Sequence, residues 1–191
     1  GFTLLFSIPL GLLLSVMAVS KNRVLSGAVG VYTWLLRGTP LMLQIFFLYF
    51  GWPIIVMSIP ALAPYRDVLK LDNYSAGLVG FILNYAAYFA EIYRSGIQSM
   101  PMGQYEAARI LGYSRTQTFF KIILPQVIKR ILPSVTNEII TLVKDTSLAF
   151  TLSVMEMFTV AKALAAKGTM IPFVAAGIFY YIFNLIVALA M

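Results

Sequence analysis

Four stretches of this chain, residues 1–20, 38–65, 73–90 and 168–191, contain no Asp, Glu, Lys or Arg. A helix that crosses the bilayer core needs about 20 mostly apolar residues, and each stretch supplies that length or nearly so. A fifth candidate, 131–155, is interrupted by Glu138, Lys144 and Asp145. The expected fold is therefore an all-α integral membrane domain spanning residues 1–191. Its five transmembrane helices fall at about 2–20, 41–59, 74–95, 131–153 and 169–190. Composition excludes the soluble alternative. Only 11% of the 191 residues are charged, against roughly 25% in ordinary soluble domains, too few to coat a water-facing surface.

Fourteen Lys and Arg against seven Asp and Glu give a net charge of +7. Nucleic-acid binding needs basic residues gathered on one water-facing patch, whereas here they sit between apolar runs, as membrane anchors do. No Cys and no His are present, which removes thiol catalysis, imidazole bases and Cys or His metal sites. The segment "EAARILGYSRTQTFFKIILP" (106–125) is taken as cytoplasmic. Lys21, Arg23, Arg37, Arg94, Arg109, Arg115, Lys121, Lys129 and Arg130 then lie inside, and Arg66, Lys70, Lys162 and Lys167 outside. The positive-inside rule favours this orientation.

Between the spans, "PALAPYRDVLKLDNY" (60–74) reads as a short loop. "SGAVGVYTWLLRGTP" (26–40) reads as an interfacial helix, with Tyr32 and Trp34 at the water boundary and an end at Gly38-Thr39-Pro40. Residues 103–119, behind Pro101, have amphipathic helical spacing, with Leu124-Pro125 ending the segment. Ala107, Ala108 and Gly112 give that helix a face of low bulk. On physics alone this is equally a solvated loop or a docking surface.

Glu106-Ala107-Ala108, Gly112 and then Ile123-Leu124-Pro125 resemble the EAA loop of ABC importer permeases. "RGTPLMLQIFFLYFG" (37–51), "NYAAYFAEIYRSGI" (84–97), "GQYEAARILGYSRTQTF" (103–119) and "LPSVTNEIITLVKDTSLA" (132–149) are similar, in order, to the polar amino acid branch of that family. The resemblance implies a type I importer (MetI-like) fold in the prokaryotic plasma membrane. It also implies a second permease subunit, identical or not, and an external amino-acid-binding protein. Residues 103–119 become the coupling helix, with Glu106, Ala107, Ala108, Gly112, Leu124 and Pro125 at the ATPase. No G-x4-G-K-[ST] pattern occurs, since "AKGT" (166–169) reverses Lys and Gly. ATP and Mg are therefore expected on a separate subunit, with no cofactor on this chain.

Two polar stripes cross the membrane at helical spacing: Asn84, Tyr88, Glu91 and Ser95, and Ser134, Glu138, Thr141 and Asp145. Ionisable groups at that depth face a bundle interior or a wet cavity. Asn84, Tyr88, Glu91, Glu138, Thr141, Lys144 and Asp145 are thus candidates for the substrate path, or else struts between helices. Glu91 and Arg94 read more simply as a structural pair. In the path reading, Lys144 attracts a substrate carboxylate while Asp145 or Glu138 keeps it charged. The leading function is uptake of polar or charged amino acids by alternating access. An ion-gradient-driven carrier or channel subunit is the alternative. A membrane enzyme is weaker, for lack of a nucleophile–base pair.

Overall fold

The computed structural model describes residues 1–166 and 168–190; Lys167, assigned above to the outer side, lies outside them. The described residues are helical with no strand. The helices are α1 (Phe2–Ala18), α2 (Arg23–Gly38), α3 (Leu41–Phe46), α4 (Trp52–Ser58), α5 (Arg66–Leu69), α6 (Asn73–Gln98), α7 (Met102–Ile110), α8 (Arg115–Gln117), α9 (Leu124–Asp145), α10 (Met157–Ala165) and α11 (Ile171–Ala190). By length and hydropathy, three continuous helical stretches can cross a membrane: Leu41–Ser58, Asn73–Gln98 and Ile171–Ala190. A fourth candidate joins Arg115–Leu152 to Met157–Ala165 across a 59° bend, and α1 is a shorter apolar helix of 17 residues.

Helix α6 is the central mast. Asp72 caps its N-terminus by accepting from the Ser75 amide at 3.1 Å. Its buried stripe includes Phe81, Tyr85, Phe89 and the small residues Ala86, Ala87 and Ala90. Helix α1 lies parallel to it and buries Ser7, Gly11 and Ser15, one residue per turn. A Cβ on Gly11 would stand 2.6 Å from Phe89 Cβ and 3.1 Å from the Ala86 carbonyl oxygen. The two backbones can therefore meet only where a side chain is missing.

Helix α2 departs from the interfacial expectation. The Tyr32 hydroxyl donates to the Leu83 carbonyl at 2.7 Å, and Asn84 Nδ2 donates to the Leu36 carbonyl at 2.9 Å. Leu83 and Asn84 sit halfway along the 26 residues of α6, so α2 climbs from the cytoplasmic side to mid-membrane. The Tyr32 ring satisfies a carbonyl inside the bundle and does not mark the water boundary. The chain breaks at Thr39-Pro40 and continues outward through α3, a π-helical turn at Phe47–Gly51, and α4. Arg37, placed above among the cytoplasmic charges, sits at this mid-membrane break; the basic asymmetry survives without it.

The 103–119 helix is also two pieces. α7 ends at Ile110. The Gly112 amide donates to the Arg109 carbonyl and the Tyr113 amide to the Ala108 carbonyl, both at 3.0 Å, with Gly112 at φ +78°. This pair of bonds is a Schellman ending, which needs a left-handed residue. Ser114 opens the next helix with a reciprocal capping box: its Oγ accepts from the Gln117 amide and its own amide donates to Gln117 Oε1. From Arg115 the chain stays helical to Asp145, through a π-helical stretch at Thr118–Ile123. Leu124-Pro125 therefore lies inside the helix. Pro125 has no N–H for the Lys121 carbonyl and its ring crowds that oxygen; the wider π turn immediately upstream accommodates it. The same arrangement precedes Pro53, two residues after Gly51.

Helix α9 runs antiparallel to α6. Arg130 Nη1 reaches the Ser99 carbonyl at the inner end, and Asn73 Nδ2 donates to the Leu152 carbonyl at the outer end, at 3.3 and 2.6 Å. A 3-10 stretch, Thr146–Leu152, ends at Ser153, which holds φ 57°. Glu156 then caps α10 by accepting from the Phe158 and Thr159 amides.

Candidate functional site

One cleft of about 540 Å³ opens between the end of α2, the inner half of α6 and the middle of α9. Arg37 and Tyr88 face it with Glu91, Ser134, Asn137 and Glu138. The Arg37 guanidinium lies 3.9 Å from Glu91 and 5.3 Å from the centroid of the Tyr88 ring. Glu91 is held from the other side by Arg94, whose Nε and Nη2 both donate to it. That fork is the structural pair expected from the sequence, but it also fixes Glu91 beside Arg37. Among the described residues, Glu138 has no ion pair and its side chain makes no hydrogen bond. It is half-buried, and its carboxylate meets the cleft with capacity to spare.

The two polar stripes are thus only partly united. Tyr88, Glu91 and Ser95 meet Ser134, Asn137 and Glu138. Asn84 does not join them. It is 4% exposed and locks the α2–α3 break, donating to Leu36 O and, at 3.0 Å, to Gln44 Oε1, while Gln44 Nε2 donates to Leu36 O, Thr39 O and Thr39 Oγ1. Asp145 turns inward and accepts from the Tyr85 hydroxyl at 2.7 Å. Thr141 bonds back to the Asn137 carbonyl at 2.9 Å. Lys144 is exposed on α9 and makes no ion pair among the described residues, so neither Asp145 nor Glu138 is its partner. The expected pairing fails because Asp145, the next residue, points 100° around the helix.

At the end of the bundle taken above as cytoplasmic, the α7–α8 turn presents Ile110 at 86% and Leu111 at 73% exposure, flanked by exposed Glu106 and Ala107. Ala108, grouped above with the docking face, is 1% exposed and packs inward. Gly112 sits at the tip, where an added Cβ would meet nothing within 4 Å. Its need for glycine is the left-handed backbone. Leu124 and Pro125 lie on the helix that leads away from the turn, Leu124 half-buried and Pro125 exposed.

The sequence profile of the family described as binding-protein-dependent transport system inner membrane component matches residues 7–191. The chain belongs to this family. It is 36% identical to the octopine transport system permease protein OccM of Rhizobium radiobacter, over 97% of this chain and 81% of that protein. It is 32% identical to the L-cystine transport system permease protein TcyB of Bacillus subtilis (strain 168), over 97% and 75%. Among solved structures, an amino acid ABC transporter with histidines superposes with a TM-score of 0.82 at 26% identity, over 98% of this chain and 83% of that one. An inward-facing form of the MetNI methionine ABC transporter gives 0.71 at 17% identity, over 99% and 84%, which speaks to fold alone. The fold is that of a type I importer, and the molecule is a multi-pass permease subunit of the bacterial inner membrane.

Within this permease, sequence reasoning missed Arg37, Gln44, Tyr85 and Glu156 as organising side chains. Gln44 carried a usable signal, being the one amide in the apolar run 40–57. Arg37 carried one too: a cation directly before a Gly-Thr-Pro break that interrupts two apolar helices.

Proposed function

We propose that this permease forms the membrane passage of an ATP-driven importer of polar or charged amino acids, and that the Arg37–Glu138 cleft is part of its path. The observation that carries the reading is a cation and a carboxylate, the latter without an ion pair among the described residues, facing one cleft at membrane depth. Such charges are costly there unless they meet a partner. A zwitterionic amino acid brings a carboxylate for the Arg37 fork and an ammonium for Glu138. In this reading Glu91 shares Arg37 with the substrate, and Tyr88 keeps the guanidinium oriented through its ring face.

The energy comes from a separate ATPase that binds ATP and Mg and docks on the α7–α8 turn. Exposed Ile110 and Leu111 at a cytoplasmic tip support that docking, because apolar side chains at such a site gain from being covered. A second permease subunit completes the passage and an external binding protein delivers the substrate.

The test is transport by the reconstituted assembly against a panel of amino acids and their carboxamides. Arg37→Gln should reduce uptake at least about tenfold per folded molecule, the scale of one charge-assisted hydrogen bond. It should also narrow the preference for free acids over carboxamides, and Glu138→Gln should lower uptake with that preference intact. Unchanged uptake and preference in Arg37→Gln would remove the cleft from the path. Uptake by the permease without any ATPase, on an ion gradient alone, would overturn the energy assignment.

A further inference from the structure

A second, larger hollow lies at the cytoplasmic boundary, and neither the amino-acid path nor the exposed tip of the α7–α8 turn accounts for it. It is a groove of about 820 Å³ between the ends of α1 and α6, helix α7 and the start of the α8–α9 helix. Arg109 and Arg115 line it with Tyr105 and Tyr113, and no Asp or Glu does. Both arginines are exposed and neither makes an ion pair or a side-chain hydrogen bond among the described residues. Beneath them the wall turns apolar through Ile97, Met102 and Phe119, and it reaches Val19 just past the last turn of α1. Met102 is 70% exposed here.

We propose that this groove holds one anionic phospholipid of the inner leaflet, its phosphate between Arg109 and Arg115 and one acyl chain along Ile97, Met102 and Phe119. Charge complementarity selects the occupant. Two guanidiniums that have no ion pair among the described residues, with phenolic donors and no carboxylate in the lining, suit a phosphate, since each planar fork can donate more than one hydrogen bond. Position selects the lipid source. The ends of two bilayer helices, α1 and α6, place the groove at headgroup depth, where basic pockets meet anionic lipid. The apolar wall, continuous with the bilayer-facing end of α1, gives the chain a place that a free phosphate would leave empty. The inference does not depend on which substrate the cleft takes.

Native mass spectrometry of the delipidated, assembled transporter tests it, with phosphatidylglycerol or phosphatidylcholine added back. One phosphatidylglycerol per copy of this chain should be retained, and phosphatidylcholine should not. Arg109→Gln with Arg115→Gln should lower retention about tenfold or more. Arg109→Lys with Arg115→Lys, which keeps the charge and reports on folding, should retain the lipid more weakly than the wild type but above the double Gln variant. Lys121→Gln, an exposed basic position outside the groove, should change nothing. Four results would overturn the proposal: equal retention of both lipids, an equal loss in Lys121→Gln, displacement of the lipid by millimolar glycerol phosphate, or binding by the isolated permease that vanishes on assembly. The last would mean that a protein partner covers the groove.

Discussion

Tyr85 donates its hydroxyl to Asp145 Oδ2 at 2.7 Å, joining the middle of α6 to the outer end of α9. Tyr85 is 1% exposed, so its ring is packed and its hydroxyl has no route to water. A hydroxyl buried in this way needs an acceptor, and the Asp145 side chain supplies it. Tyr85→Phe keeps the packing and leaves Asp145 short of a donor, which should lower stability by about 1–3 kcal/mol. Asp145→Asn retains an acceptor oxygen and should lose less. Thermal unfolding in detergent ranks the two, and a Tyr85→Phe protein as stable as the wild type would remove the strut.

Close approach of α1 and α6 makes a sharper steric prediction. The Cβ of Gly11→Ala would meet Phe89 Cβ and the Ala86 carbonyl, atoms that cannot swing away as a flexible side-chain end does. Overpacking of this kind costs about 1–3 kcal/mol. The loss should appear as a lower unfolding temperature. A neutral Gly11→Ala would mean the helices stand farther apart.

Gly112 was read from the sequence as a point of tight contact with the ATPase, while the structure gives it a backbone reason. At φ +78° a β-carbon strains the turn by about 1–2 kcal/mol, and Asn tolerates this region better than Ala. Gly112→Val should therefore weaken both the turn and ATPase association, with Gly112→Asn closest to the wild type. If ATPase pull-down tracks side-chain volume instead, so that Asn is as damaging as Val, the contact reading is restored.

The apolar intervals made the bundle legible, because bilayer thickness sets helix length and charge exclusion sets helix position. What sequence spacing did not reveal was where helices break. "RGTP" read as the end of a surface helix because Pro40 forbids continuation, yet a break inside a bundle looks the same when its carbonyls find side-chain donors. Asn84 and Gln44 supply those donors from 48 and 5 residues away in sequence, the first beyond any local pattern. The Ser114–Gln117 capping box, in contrast, is a four-residue signal that was readable and overridden by the longer amphipathic period. In the polar stripes, helical spacing grouped the right faces, but the paired partners across helices decide whether a group meets the cleft or the core.

At the outer end, Asp72 titrates in a predictable direction. Hydrogen bonds from Ser75 hold its carboxyl below the ordinary carboxylate range. A carboxyl whose value is depressed on folding contributes its stability above the unfolded value near about 3.9 and loses it as pH falls through the folded value. Asp72→Asn still caps α6 but cannot titrate. Its unfolding temperature should fall less steeply than the wild type's below about pH 4, with the two curves parallel at neutral pH. Identical acid limbs would show that Asp72 is not bonded to the helix end.

The clearest reversal concerns Asn84 and Lys144. The sequence offers Asn84 as a candidate for the substrate path, or else a strut, and Lys144 as a cation kept charged by a carboxylate. In the structure Asn84 is buried and bonded to Leu36 and Gln44, whereas Lys144 is exposed and has no ionic partner among the described residues. Asn84→Ala removes one of two donors to the Leu36 carbonyl and leaves Gln44 Oε1 without its donor, so it should lower stability by about 1–3 kcal/mol with substrate preference unaltered in the molecules that fold. Lys144→Met removes no partner and should leave unfolding unchanged. Any effect of Lys144→Met on uptake then belongs to the face of α9 that a second subunit or the substrate meets. Stability and uptake measured on the same preparations decide the order. If Lys144→Met unfolds more readily than Asn84→Ala, the exposed position of Lys144 is not the one it holds in the assembled transporter.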